Sequence, residues 1–154
     1  MRPLEFIVIF FSCSIFFISS AYAAATTIQA ISFGSWIVKK NDAQYDIVLN
    51  PDGTYTFDSA AYIEISPPQG GIYDIDSLPV STAIASVTVT QLSPLAGGSG
   101  KSFQMLTFQE THPPSTDASG VARINIGATS RSSGDGTAYP DETYSGNIDI
   151  QVNF

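Results

Sequence analysis

The chain has very little with which to build chemistry. In 154 residues there is one cysteine and one histidine, and six Lys and Arg stand against fourteen Asp and Glu. One His and one Cys cannot supply the three or four nitrogen and sulfur ligands of a zinc site. The formal charge of −8 argues against nucleic acid and against anionic lipid surfaces, both of which are held through basic patches. Helical patterning is missing too. No long segment repeats apolar residues every three or four positions, and 12 Gly and 9 Pro interrupt the chain throughout. No Asn-x-Ser/Thr sequon occurs.

What is present begins with a leader. Arg2 is followed by an apolar stretch from Phe6 to Ile18, broken only by Ser12, Cys13 and Ser14, and then by Ala21-Tyr22-Ala23, which fits small-x-small cleavage. The apolar stretch, about 13 residues, is short of the roughly 18–20 that span a bilayer. The expectation is a signal peptide over 1–23 and one mature domain over 24–154 in the periplasm, on the outer surface or outside a bacterium. Cys13 falls within the leader, because Phe10 stands where a lipoprotein signal needs a Leu-type residue and the apolar run continues beyond the cysteine. Removing Glu5 and Arg2 with the leader leaves 13 acids against 5 bases, so the charge stays at −8.

The rest reads as strands. Ile28–Val38, Tyr45–Leu49, Thr54–Phe57, Ala61–Ser66, Ile72–Asp76, Ile84–Leu92, Phe103–Gln109, Val121–Ala128 and Tyr144–Phe154 are separated by Gly, Pro and Asn-Pro-Asp-Gly signals, with 93–101 read as a loop. Seven to nine strands at this spacing favour an all-β antiparallel sandwich in two sheets. The clearest alternation is the last, with Ile148, Ile150, Val152 and Phe154 on one face and Asp149, Gln151 and Asn153 on the other. That face is expected in the core, paired with a strand from the other end of the chain.

Catalytic arrangements are not found. Gly98-Ser99-Gly100-Lys101-Ser102 resembles part of a phosphate loop, but Leu95 stands where the motif needs Gly, and a strand follows instead of a helix. His112 lies in Thr-His-Pro-Pro, read as a surface loop, and no Gly-x-Ser-x-Gly elbow exists. Asp74 and Asp76 share a strand face. Asp135, Asp141 and Glu142 lie in a polar loop, the weak candidates for calcium through oxygen ligands. Trp36 and the tyrosines could stack on sugars, but an aromatic core is the simpler use of Trp36. No catalytic residue and no cofactor are expected.

Three stretches together carry a resemblance. They are Ile31-Ser32-Phe33-Gly34-Ser35-Trp36, then Asn50-Pro51-Asp52-Gly53-Thr54 with Gly71-Ile72-Tyr73-Asp74-Ile75 and Leu78-Pro79, and finally Tyr144-Ser145-Gly146 leading into Ile148–Phe154. Their order over 28–154 is similar to the exported bacterial family called domain of unknown function 4402, and more distantly to spore-coat-U-like pilin subunits. The resemblance implies an immunoglobulin-like sandwich in which Phe33, Gly34, Trp36, Tyr144, Gly146, Ile148, Ile150, Val152 and Phe154 are structural. It implies a structural or adhesive, fimbrial role with copies of itself or other pilus subunits as partners. Pilins that assemble by strand exchange need a free donor segment. Only Ala24–Thr27 precede Ile28, too few to fill a neighbour's groove, which leaves Ile28–Ile37 as the segment for that role. The alternatives are a soluble glycan- or calcium-binding module and a small outer-membrane barrel, to which the alternating Ile148–Phe154 run is also suited.

Overall fold

The structure is a computed structural model and describes residues 23–154. The leader and Cys13 lie outside the described residues, apart from Ala23. Among the described residues there are eleven strands and no helix: β1 (Ala24–Gln29), β2 (Ser35–Val38), β3 (Asp46–Leu49), β4 (Tyr55–Phe57), β5 (Tyr62–Ser66), β6 (Gly71–Asp76), β7 (Ser86–Gln91), β8 (Leu95–Ala96), β9 (Ser102–Thr111), β10 (Ala122–Arg131) and β11 (Ile148–Asn153). Every pairing is antiparallel.

β10 organises the molecule. Ala122, Ile124, Ile126 and Ala128 alternate along it, and all are buried. β9 lies along one edge of β10. The other edge is shared by two shorter strands laid end to end: β6 pairs with Ala122–Ile126 and β3 with Ala128–Arg131. Gly127 lies at the seam, where a Cβ would come within 2.6 Å of the Asn50 carbonyl carbon and closer still to the Leu49 oxygen. β1 extends the sheet beyond β6, β4 beyond β3 and β8 beyond β9, giving a curled, open sheet of seven strands.

A second feature links the large sheet to one of two small two-stranded sheets. Residues 24–38 stay antiparallel to residues 62–76 over their whole length, first as β1–β6 in the large sheet, then through the Ser32–Gln69 bridge, then as the separate ribbon β2–β5. The register gains one residue at Ile28 and returns it at Ile65, so these two isoleucines are bulges. The turn from one sheet to the other is made at Gly34, with φ +77°, where a Cβ would meet the Ser66 and Pro67 carbonyl groups.

Two apolar clusters fill the interior. Ile84 and Val87, with Val89 of β7 and Ile148, Ile150 and Val152 of β11, pack on Tyr73, Ile75, Ile124 and Ile126 of β6 and β10. Trp36, Val38 and Tyr62 of β2–β5 pack with Ile47, Phe57 and Phe103. Trp36 Nε1 donates to the Phe33 carbonyl, and its ring centroid lies 4.7 Å from that of Phe57.

The all-β antiparallel expectation holds. The strand count is higher than seven to nine because the Ile28–Val38 run is cut at its corner, and because β1 and β8 carry too few buried apolar residues to show as alternation. β11 begins at Ile148, not Tyr144, and it pairs with β7 from the middle of the chain rather than with a strand from the other end. Its apolar face is only partly buried, and Phe154 remains 48% exposed, so Phe154 is not a core residue. Gly146 is a point of close approach: a Cβ there would lie 2.6 Å from the Pro94 oxygen and 2.7 Å from the Ser93 oxygen.

Candidate interaction surface

The three acids of the calcium reading are not gathered. Asp135 takes both its oxygens to Lys101 Nζ, at 2.8 and 2.6 Å, and this contact and the Thr137 N–H hold its carboxyl well below the usual range. Glu142 instead accepts from the Ser99 hydroxyl and backbone N–H, pinning the Gly97–Lys101 turn and lowering its own pKa. Among the described residues no three His, Cys, Asp or Glu side chains group as a metal site. The Gly98–Ser102 segment is the turn of the β8–β9 hairpin, closed by Gly97 N–H to the Lys101 carbonyl.

Other polar candidates are also engaged. Asp74 forms a two-pronged pair with Arg123 across β6 and β10, both bonds 2.8 Å. Asp76 contacts only the neighbouring Ser77 hydroxyl. His112 is half-buried instead of lying in an exposed loop. Its Nε2 is 3.9 Å from Glu110 Oε2, the one buried side-chain nitrogen or oxygen without a hydrogen-bond partner among the described residues. Tyr139 stacks on Phe103 at 4.1 Å, Tyr144 meets both edge-on, and Lys101 lies over the Tyr139 ring. Burial, with Glu142 beside it, pushes the Tyr144 hydroxyl up to about 12.

Sequence reasoning missed the distribution of features between the two ends of β10. β10 is ten residues long, or about 33 Å. At its C-terminal end, Asn41 ties the β2–β3 loop to the segment after β10. The Asn41 side-chain amide donates to Ser133 Oγ, Asp135 Oδ1 and the Thr137 carbonyl, and its oxygen accepts from Gly134 N–H. Beside it, Val38, Lys39, Lys40 and Gly136–Ala138 line a shallow recess of about 150 Å³. The exposed Ile37 and its cross-strand partner Ile63 lie next to this end of the ribbon. Four of the five described bases gather here: Lys39, Lys40, Lys101 and Arg131. So do the acids Asp42, Asp46, Asp58 and Asp135 and, on the Gly97–Lys101 turn, Glu142 with Asp141 next to it. Asp46 and Asp135 are ion-paired, Asp42 accepts from the Tyr45 hydroxyl, and Asp58 accepts from the Ala60 N–H. Lys39 and Lys40 have no carboxylate within ion-pair distance among the described residues; Lys39 Nζ reaches the Ser59 carbonyl.

The N-terminal end of β10 is different. Asp74, Asp76 and Asp117 face a single base, Arg123. Asp74, Pro113, Ser115, Thr116, Asp117, Val121 and Arg123 line a recess of about 450 Å³. Val80, 61% exposed, stands beside it, held in place by the Leu78 N–H to Gly120 and Ser81 N–H to Asp117 backbone bonds. Along the ribbon between the two ends, residues 23–38 contain no charged side chain, and among the described residues β1 and β2 each pair on one side only.

One signal for this surface was legible: the uncharged stretch ending in Lys39-Lys40. That its two ends fall at opposite ends of β10 required the register. Comparison with family models, with curated proteins and with solved structures returns no match.

Proposed function

We propose that this chain is an exported, non-enzymatic surface module, structural or adhesive and fimbrial in character, built as an immunoglobulin-like sandwich of the kind found in the family called domain of unknown function 4402. The observation that carries the reading is the edge of residues 23–38, which pairs on one side only among the described residues. An uncharged edge strand offers its unpaired N–H and C=O groups to another chain, and proteins that must stay single blunt such edges with Lys, Pro or inward charges. Here only the bulge at Ile28 interrupts β1, and the exposed β1 and β2 side chains include Thr26, Thr27, Ile28 and Ile37. The side chains add support: Asp135 is held by Lys101, Asp74 by Arg123 and Glu142 by the Ser99 turn, in arrangements that fix loops and strand pairs.

Cell fractionation followed by native-size analysis tests this. The expected result is a processed protein in the envelope or medium that migrates as an assembly, with heat-resistant ladders on gels and extended structures under the electron microscope when overproduced. A processed protein found only as a soluble periplasmic monomer overturns the fimbrial role.

A further inference from the structure

Independently of that reading, we infer that Glu110 and His112 form a proton-operated latch: one proton held between them fastens the turn out of β9, and the domain tightens as its surroundings become mildly acid. Glu110 lies opposite buried Ile126 on β10, so its side chain leaves on the core face of the sheet. His112 follows two residues later, half-buried. Its Nδ1 is 2.8 Å from the Pro113 carbonyl oxygen, which can only accept, so the ring hydrogen sits on Nδ1. Nε2 of the neutral ring is then a bare lone pair, 3.9 Å from Glu110 Oε2. That carboxylate oxygen is buried and receives no donor. Two acceptors therefore face each other across a gap that a proton fills. With Nε2 protonated, the imidazolium donates to the carboxylate, and a side-chain shift closes the gap to the usual length of about 2.7–2.9 Å.

No other ionisable side chain lies within ion-pair distance of either group among the described residues. β7 and residues 77–85 carry no charge. On β10, Arg123 is bound to Asp74 and Arg131 to Asp46. Asp117 accepts from the Ser119 and Val121 N–H groups, and Asp149 of β11 accepts from Gln151. The latch also has something to hold. Just after His112, the Pro114 carbonyl accepts from the Ile84 N–H, and the Thr116 N–H donates to the Thr82 carbonyl. The Thr116 hydroxyl donates to the Pro79 carbonyl and accepts from the Thr82 N–H. These bonds seat Ile84 in the core, where the chain enters β7. The sign follows from linkage. An unfolded histidine takes its proton near pH 6.5, at about the ordinary value. The contribution of the protonated pair is complete below that pH and is lost as the pH rises and the folded protein gives up the proton.

The test uses the processed, untagged protein, in which His112 is the sole histidine and its ring signals are unambiguous. From about pH 8 to about pH 5.5 the carboxylates stay ionised, and the unfolding equilibrium constant from urea curves should fall about five-fold or more. Glu110→Gln removes the anion at nearly constant size and should abolish that fall; it keeps the same terminal amine, so the comparison isolates the pair. Nitrogen NMR of the wild type at the alkaline end should show the neutral ring protonated on Nδ1, a readout that needs no variant to fold. A wild type equally stable across this range, a Glu110→Gln protein that keeps the wild-type dependence, or a neutral ring protonated on Nε2 each overturns the inference.

Discussion

Gly127 is the position where adding one methyl group should do the most damage. Its backbone carries no left-handed φ, so alanine suffers no conformational strain there. The obstacle is steric. The new Cβ would lie within 2.6–2.8 Å of the Asn50 carbonyl carbon and Cα, and closer to the Leu49 oxygen, all backbone atoms that no rotamer change can move. Relief requires β3 to slide away from β10, straining the ladder at Ala128–Leu49 and Thr129–Val48. Overpacking of this kind costs about 1–3 kcal/mol, and a lost ladder bond adds about 1 kcal/mol. A total near 3 kcal/mol is a large part of a typical stability of about 5–15 kcal/mol. At roughly 3–4 °C per kcal/mol for a domain of this size, Gly127→Ala should melt about 10 °C below the wild type by circular dichroism. Gly100→Ala is the control. A Cβ there meets nothing within 4 Å, and the φ of +85° alone should cost about 1 kcal/mol, or about 3–4 °C. If the two variants melt within about 2 °C of each other, β6 and β3 do not meet end to end beside β10, and the account of the large sheet is wrong.

Ile150 is only partly buried, so Ile150→Asp should lose part of the roughly 1.5–3 kcal/mol that full burial of an Ile contributes and set a carboxylate against the β7–β11 cluster, cutting the yield of folded protein, whereas exposed Asn153→Asp should change neither yield nor melting temperature. At alkaline pH, burial pushes the Tyr62 hydroxyl up to about 12, the value also reached by Tyr144. The unfolded chain releases these protons near 10, so their contribution to the urea midpoint should be constant below that pH and fall between 10 and 12, with two tyrosines ionising last in the ultraviolet titration. At acid pH the sign reverses. The Arg131 hydrogen bonds hold the Asp46 carboxyl below its usual range, so the pair stabilises the fold above the ordinary carboxylate range and loses that contribution as Asp46 is protonated. Arg131→Gln should therefore lower the urea midpoint at neutral pH and converge with the wild type in strong acid; a constant gap would refute the linkage.

Some of this was fixed by local chemistry alone. Period-two alternation at Ile124–Ile126 and Ile148–Val152, and turn residues such as Asn50-Pro51-Asp52-Gly53, are enough to define an all-β chain, because side-chain direction along a strand and the sign of φ are properties of a few consecutive residues. Gly34 and Gly146 were expected to be structural through the resemblance, and each proves to be a point of close approach that a Cβ would fill. Pairing was not legible. β11 chose β7, β6 and β3 divided one edge of β10 at Gly127, and β1 formed with almost no buried side chain, because a ladder is held by backbone groups that every residue carries. The roles of the acids were equally hidden. Asp135 and Glu142 are seven residues apart, yet the tertiary structure gives one to Lys101 and the other to Ser99. The sequence also contains the run of uncharged residues and the two lysines that end it, but only the long antiparallel ribbon carries Lys39–Lys40 and Asp76 to opposite ends of the molecule.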